Sequence, residues 1–259
     1  MDNCKKKYIK ISATDVAGCI NKNMYISKDI MILKIWEKYD YDSFINAIKR
    51  NNLKIIRLSE INIKIDNKKI DSYLIKYNES KINMKNGMED RPIIIKTIQD
   101  LYNIKVENNK DKYTLFINRP QKSFNQIILH NIIINGIVNN FVEDEKKYII
   151  DIKSRQKEMF NFIQDHEKIQ IITYMKLSNI KICKHVEYFK GEIRTEDINY
   201  EEEYWKNIEI KLLEFVNYFE KIYYNDLFQD LFFKKKIIDN LVLLEMMANN
   251  FGYIIINNN

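Results

Sequence analysis

The chain has 259 residues, of which 46% are hydrophobic and 30% are charged, a balance typical of a globular protein. This balance excludes a disordered chain, a collagen-like repeat and a bare coiled coil. The chain has 48 Ile, 36 Lys and 32 Asn but only 4 Ala and 5 Gly. Because Ile, Lys and Asn use A/T-rich codons, the composition indicates an A/T-rich genome, as in a large DNA virus or a low-GC microbe.

The formal net charge is +6 and the isoelectric point is about 8.9. A basic protein of this kind favours a polyanionic partner such as DNA or RNA. Codon drift toward Lys explains the same excess of positive charge equally well. Charge alone therefore leaves both interpretations open.

The cysteines, Cys4, Cys19 and Cys183, are odd in number and form no CxxC pair. A disulfide framework, a structural zinc site and an iron–sulfur cluster are therefore not expected. The N-terminus lacks the apolar segment of a signal peptide, and no run approaches the roughly 18 apolar residues of a membrane span. These features predict an intracellular protein with no membrane partner.

The first predicted elements are helices. Ser12 is expected to cap a helix over 13–20 and Ser27 a helix over 28–39, followed by a helix over 41–51. Alternating Ile61, Ile63 and Ile65 indicate a strand, and a turn leads to another strand over 70–75. Gly87 and Pro92 are expected to bracket the start of a helix over 90–103. Glu89 and Asp90 fall at its predicted first turn, where the helix dipole favours acidic side chains.

A β core is predicted next, with strands over 113–118, 126–136 and 148–153 and a charged hairpin turn at 143–147. A helix is expected over 166–177, a strand over 182–189 with a hairpin at 190–192, and helices from residue 200. This order predicts a single α/β (α+β) domain. The three histidines, His130, His166 and His185, form no triad in the sequence and are interpreted as structural.

Two pairs of residues carry the predicted chemistry. Asp151 and Lys153 end a strand, and strand alternation places both on one face. A carboxylate beside an ammonium can hold a divalent metal and orient a water, although such a pair alone is usually a surface ion pair. Gln170 and Tyr174 lie four residues apart on a predicted helix and therefore project from one face.

Several segments, taken in order, resemble the PD-(D/E)xK nuclease superfamily, in its branch of phage lambda exonuclease and YqaJ-like viral recombinases. The Asp151-Ile152-Lys153-Ser154-Arg155 stretch resembles the family's E-x-K-x-R motif, with Asp in place of Glu. The similar segments are 11–18 with Asn23-Met24-Tyr25, Asn86-Gly87-Met88-Glu89 with the helix after it, Gly136-Ile137-Val138, Asp151–Arg155, Gln170–Tyr174 and Tyr204-Trp205.

The resemblance implies a restriction-endonuclease-like core, in which helices flank a mixed central β-sheet. One domain over 1–259 is expected, with an N-terminal extension at 1–80, the nuclease core at 81–190 and C-terminal helices at 191–259. The implied activity is a metal-dependent DNA nuclease, more finely an exonuclease of viral DNA replication, recombination or repair. DNA is the implied partner, a single-strand annealing protein is a second one, and a homo-oligomer is left open.

The resemblance also implies residue roles. Mg²⁺ or Mn²⁺ would be held by Glu89, Asn139 and Asp151. Lys153 would activate the attacking water, and Gln170 and Tyr174 would orient Lys153, the water or a phosphate. Arg155 and Ser12 would contact DNA.

One departure from the family pattern falls on its metal site. The family has an Asp where this chain has Asn139, and hard cations bind carboxylates far better than neutral amides. Loss of that charge would slow a metal-dependent reaction by roughly a thousandfold or more. The chain is therefore either a weak nuclease or an inactive nuclease relative that binds DNA or acts as a scaffold. A virion or host-interaction protein with a coincidental likeness is a third interpretation.

Overall fold

The computed structural model describes residues 8–60, 68–108, 110–119, 130–138, 140–143, 147–234 and 241–258. Within these ranges the chain forms eight α-helices and ten β-strands, which are arranged in three sheets. This architecture confirms the predicted mixed α/β class. None of the described helices is both long enough and apolar enough to cross a membrane.

The elements are numbered in chain order. The helices are α1 (Val16–Cys19), α2 (Lys28–Tyr39), α3 (Tyr41–Arg50), α4 (Lys68–Tyr102), α5 (Asp165–Ser178), α6 (Glu202–Tyr223), α7 (Asp226–Leu231) and α8 (Leu241–Phe251). The strands are β1 (Tyr8–Ser12), β2 (Leu53–Arg57), β3 (Val106–Asn108), β4 (Lys112–Ile117), β5 (Asn131–Ile137), β6 (Asn140–Glu143), β7 (Lys147–Ser154), β8 (Ile182–Phe189), β9 (Glu192–Asn199) and β10 (Tyr253–Asn257).

The chain divides into two compact units. The first comprises the described residues of Met1–Ala17 and Asn83–Ile210, and the second those of Gly18–Ile82 and Lys211–Asn259. Each unit is therefore built from two separate stretches of sequence. The assignment of one domain with a core at 81–190 stays a prediction.

A five-stranded sheet forms the centre of the first unit, in the order β3-β6-β7-β8-β9. Strands β7 and β8 are parallel, and the other neighbours are antiparallel. Parallel strands need a crossover, and α5 provides it between β7 and β8 in the chain. The β7–β8 register pairs Asp151 with His185 and Lys153 with Glu187, so strand alternation places all four side chains on one face.

The opposite face of this sheet is apolar. Ile94 and Ile98 of α4 pack there against Val142, Ile150 and Val186, and all five are buried. Ile150 and Asp151 are neighbours in β7, so their side chains point to opposite faces. Helix α4 thus covers the apolar face and leaves the polar face to α5.

A second sheet of the first unit has the order β1-β5-β4, with β1 parallel and β4 antiparallel to β5. Gly136 of β5 lies where a helix approaches the strand closely. A Cβ at this position would lie 2.8 Å from Leu177 Cδ1 and 3.3 Å from Tyr174 Cε1. Only glycine lets α5 pack at this distance, and this packing brings Tyr174 close to the strand.

The second unit contains helices with an aromatic core and a small sheet of β2 and β10, which are antiparallel. Trp36 of α2 is fully buried and lies edge-on to Phe44 of α3, with ring centroids 6.0 Å apart. The predicted cap of α2 is confirmed, because the Ile30 N–H donates to Ser27 Oγ at 3.3 Å. Both bounds of the predicted helix 28–39 are also confirmed.

The helix predicted over 90–103 is confirmed as far as Tyr102, but its predicted start and the strand predicted over 70–75 are wrong. Helix α4 begins at Lys68, so the expected strand over 70–75 is helical, and Gly87 and Pro92 lie inside the helix. Pro92 has no N–H and removes one helical hydrogen bond. The helix nevertheless continues, and Ile94 and Ile98 beyond the proline are anchored on the sheet. Burial of Ile94 and Ile98 therefore outweighs the helix-breaking tendency of Gly87 and Pro92.

Two further predictions are wrong. Ser12 ends strand β1 and does not cap a helix with its side chain. Residues 253–257 form strand β10, where helix was expected. The expected strand at 61–65, the start of the strand at 126–129 and most of the turn at 143–147 lie outside the described residues.

Candidate active site

A cavity of about 110 Å³ brings together four of the predicted catalytic residues. Asp151 and Lys153 reach it from β7, and Gln170 and Tyr174 reach it from α5. Val138, at the end of β5, and Arg91 of α4 also line it. The pair predicted from strand alternation and the pair predicted from helical spacing therefore line the same cavity.

A chain of polar contacts runs through this cavity. Lys153 Nζ lies 3.3 Å from Asp151 Oδ1 and donates to Gln170 Oε1 at 3.2 Å. Gln170 Nε2 in turn donates to the Tyr174 hydroxyl at 3.0 Å. The Lys153 ammonium is thus held between a carboxylate and an amide oxygen, with its side chain only 19% exposed.

His185 is the second partner of Asp151 and was missed in the sequence analysis. Its Nδ1 lies 2.9 Å from Asp151 Oδ2, and an ionised carboxylate can only accept, so Nδ1 donates. Burial alone would raise the pKa of Asp151, but Lys153 and the His185 hydrogen bond outweigh it and lower the pKa to about 2. Asp151 is therefore an anion at neutral pH. Its link to His185 depends on the β7–β8 register, which no local sequence pattern encodes.

Arg155 lies in a buried ion-pair network on the same face. Its terminal nitrogens donate to both Glu167 oxygens at 2.7 and 2.8 Å, and its Nε donates to Glu187 Oε1 at 2.6 Å. Burial would lower the pKa of Arg155, but the two carboxylates raise it above its ordinary value. The guanidinium thus joins α5 to β8. The assignment of Arg155 as a DNA contact stays a prediction. Its observed contacts instead give it the structural role of linking α5 to β8.

Glu167, His185 and Glu187 are buried and place one potential ligand atom each within 4.8 Å of the others. His185 Nε2 is a buried atom without a hydrogen-bond partner among the described residues. Both carboxylates, however, are already paired with Arg155, and Arg194 Nη1 lies 3.9 Å from Glu187 Oε2. We therefore interpret this cluster as an ion-pair network and not as a metal site.

Besides Arg155, two further predicted residues, Glu89 and Ser12, lie away from the cavity lining. The Glu89 side chain is 64% exposed on α4 and lies 3.6 Å from the Lys85 ammonium. Its neighbour Asp90 contacts β7 instead and accepts from Ser154 Oγ at 2.5 Å. Ser12 Oγ shares a hydrogen bond with Thr14 Oγ1 at 2.9 Å. The roles of Glu89 and Ser12 stay predictions that this arrangement does not support.

The donor set around the cavity limits what metal it could hold. Asn139 lies outside the described residues, although Val138 before it lines the cavity. Among the described lining residues, Asp151 is the single carboxylate, beside the Gln170 amide and two cationic side chains. Mg²⁺ and Mn²⁺ prefer oxygen ligands and are bound through one or two carboxylates. These residues fit one weakly held hard cation.

Comparison with known proteins gives distant structural neighbours. No family model and no curated protein matches the sequence. An alkaline exonuclease from Laribacter hongkongensis is 14% identical with a TM-score of 0.47, over 83% of this chain and 90% of that one. A phage-related exonuclease from Haemophilus somnus is 15% identical with a TM-score of 0.44, over 82% and 94%. The Laribacter enzyme has also been solved in complex with dAMP. Likenesses this distant assign neither a residue nor an activity to this chain.

Replacing Arg155 tests whether it is a buried ion-pair partner. Arg155→Met would leave buried Glu167 without its ion-pair partner and Glu187 with only the more distant Arg194, and should lower the free energy of unfolding by about 3–5 kcal/mol. Urea denaturation measures this loss. Lys176→Met is the matched control, because its pair with Glu202 is more exposed and should change stability by less than about 1 kcal/mol. Wild-type stability in Arg155→Met would show that the network does not hold the fold.

Replacing His185 tests its hydrogen bond to Asp151. His185→Leu removes the donor and should raise the pKa of Asp151 above its native value of about 2, because burial then acts with one less opposing contact. Titration of the Asp151 carboxyl carbon by NMR measures the change. His185→Asn retains a side-chain N–H donor and should keep the pKa closer to the native value. An unchanged pKa in His185→Leu would show that the His185 hydrogen bond does not stabilise the Asp151 anion.

Proposed function

We propose that this chain is a metal-dependent deoxyribonuclease, and more finely an exonuclease of viral DNA replication, recombination or repair. The observation that carries the proposal is the meeting of Asp151, Lys153, Gln170 and Tyr174 in one cavity. The ordered resemblance to PD-(D/E)xK nucleases supports it, because those four positions were selected from the sequence alone. A restriction-endonuclease-like core is part of the same proposal.

Asp151 would hold Mg²⁺ or Mn²⁺, with Asn139 and Glu89 proposed as further ligands from the resemblance. The bound ion would supply Lewis acidity at the phosphodiester. Lys153 would orient the attacking water by donating a hydrogen bond and would stabilise the negative charge that develops on the phosphorus oxygens. Gln170 would restrain the ammonium by accepting its N–H, and Tyr174 would restrain Gln170 in turn.

The second candidate is an inactive nuclease relative that binds DNA or acts as a scaffold. Asn139 favours it, since the family pattern has a charged ligand there. The exposed position of Glu89 leaves the cavity without a second carboxylate from α4, which also favours the inactive relative. Both candidates share DNA as the partner, and a single-strand annealing protein and a homo-oligomer are proposed from the resemblance alone.

Nuclease activity gives the direct test. The purified chain should degrade linear DNA slowly with Mn²⁺ or Mg²⁺, and Lys153→Ala should reduce the rate by roughly a hundredfold or more, because it removes a cation at the developing charge. Gel or fluorescence assays on single- and double-stranded substrates measure it. Lys184→Ala is the matched control: Lys184 lies on neighbouring β8, next to Ile150 in register, and pairs with Asp197.

Asn139→Asp separates the two candidates in the same assay. A silent wild type that gains activity on this change would be a nuclease whose metal site has decayed. If both chains bind DNA and neither cuts it, the inactive DNA-binding protein stands. Failure to bind DNA even at low salt would contradict both candidates.

A further inference from the structure

A groove of about 410 Å³ lies between α4 and β3 of the first unit. Its helical wall includes Met88, Arg91, Pro92 and Lys96, and its strand wall consists of Val106 and Asn108. This volume is within the range of pockets that hold one drug-sized ligand. A mononucleotide is of that size, whereas a duplex is much larger.

The charge of the groove follows from the geometry of its two walls. Successive helical residues are rotated by about 100°, so Asp90 points away from the stripe formed by Met88, Pro92 and Gln99, whereas Glu89 lies at the edge of the groove on the side of Lys96. Glu89 is paired with Lys85 and Asp90 with Ser154. On β3, alternation places Glu107 on the side opposite to Val106 and Asn108. Among the described residues that line the groove there are two cations and no carboxylate.

Arg91 lines both this groove and the Asp151 cavity. The two hollows are therefore neighbours that share Arg91 as a lining residue. Guanidinium groups bind phosphate oxygens well because their N–H groups form a planar fork. A polymer with one phosphodiester in the cavity could thus place its adjoining residue in the groove.

We propose that the groove is a subsite for one nucleotide of a single strand, next to the phosphodiester in the Asp151 cavity. This inference rests on the proposed nuclease or DNA-binding function. Arg91 and Lys96 bind the backbone phosphates, and Met88, Pro92 and Ile95 pack against the base. The Asn108 amide can donate to and accept from a base edge. Because apolar packing accepts every base, the subsite has little sequence preference.

Binding of a fluorescent single-stranded 20-mer in EDTA tests the subsite without cleavage. Lys96→Glu should weaken binding by about tenfold or more, and the milder Lys96→Ala should reduce the slope of log affinity against log salt by about 0.7, the value for one phosphate contact on a single strand. Lys85→Glu is the matched control on the same helix, because Lys85 does not line the groove. It should bind as the wild type does.

Photocrosslinking of the wild type with an iodouracil-containing 20-mer gives a readout that no variant can disturb by misfolding. Crosslinks should map to 88–99 or 106–108. Crosslinks confined to other segments, or equal losses in Lys96→Glu and Lys85→Glu, would overturn the subsite while leaving the proposed function intact. A wild type that binds no single strand at low salt would overturn both.

Discussion

The parallel pairing of β7 with β8 is the constraint on which the candidate site depends. Its register places Asp151 beside His185 and Lys153 beside Glu187 on one face of the sheet. Charged groups on a buried face are costly unless each has a partner, and here each one does. The same pairing that makes this burial tolerable also fixes the geometry of Asp151 and Lys153.

Helix α5 completes this arrangement because it is attached at two places. Arg155 binds Glu167 in the first turn of the helix, and Gly136 allows the C-terminal part of the helix, at Tyr174 and Leu177, to approach β5 closely. Gln170 lies between these attachments, and Tyr174 lies at the second one. The contact of Gln170 with Lys153, and that of Tyr174 with Gln170, therefore follow from how the helix is held. A preorganised cation of this kind is what stabilisation of a developing negative charge requires.

Much of the site could be predicted from the sequence because it depends on local periodicity. Alternation along one strand placed Asp151 with Lys153, and helical spacing placed Gln170 with Tyr174. His185, Arg91 and the ion pairs of Arg155 could not be predicted this way, because strand register and helix docking bring them in from distant parts of the chain. Helix α4 shows the same limit: its Gly, Pro and β-branched residues favour other structures locally, and packing of Ile94 and Ile98 on the sheet prevails.

In the proposed function a hard cation binds in the Asp151 cavity and not at the neighbouring Glu167–His185–Glu187 cluster. Anomalous diffraction from crystals soaked in Mn²⁺ tests this proposal most directly. An anomalous peak is expected within coordination distance of the Asp151 carboxylate, with Arg155 still bound to Glu167 and Glu187. A peak among those two glutamates with Arg155 displaced, or no peak beside Asp151 at saturating Mn²⁺, would contradict it.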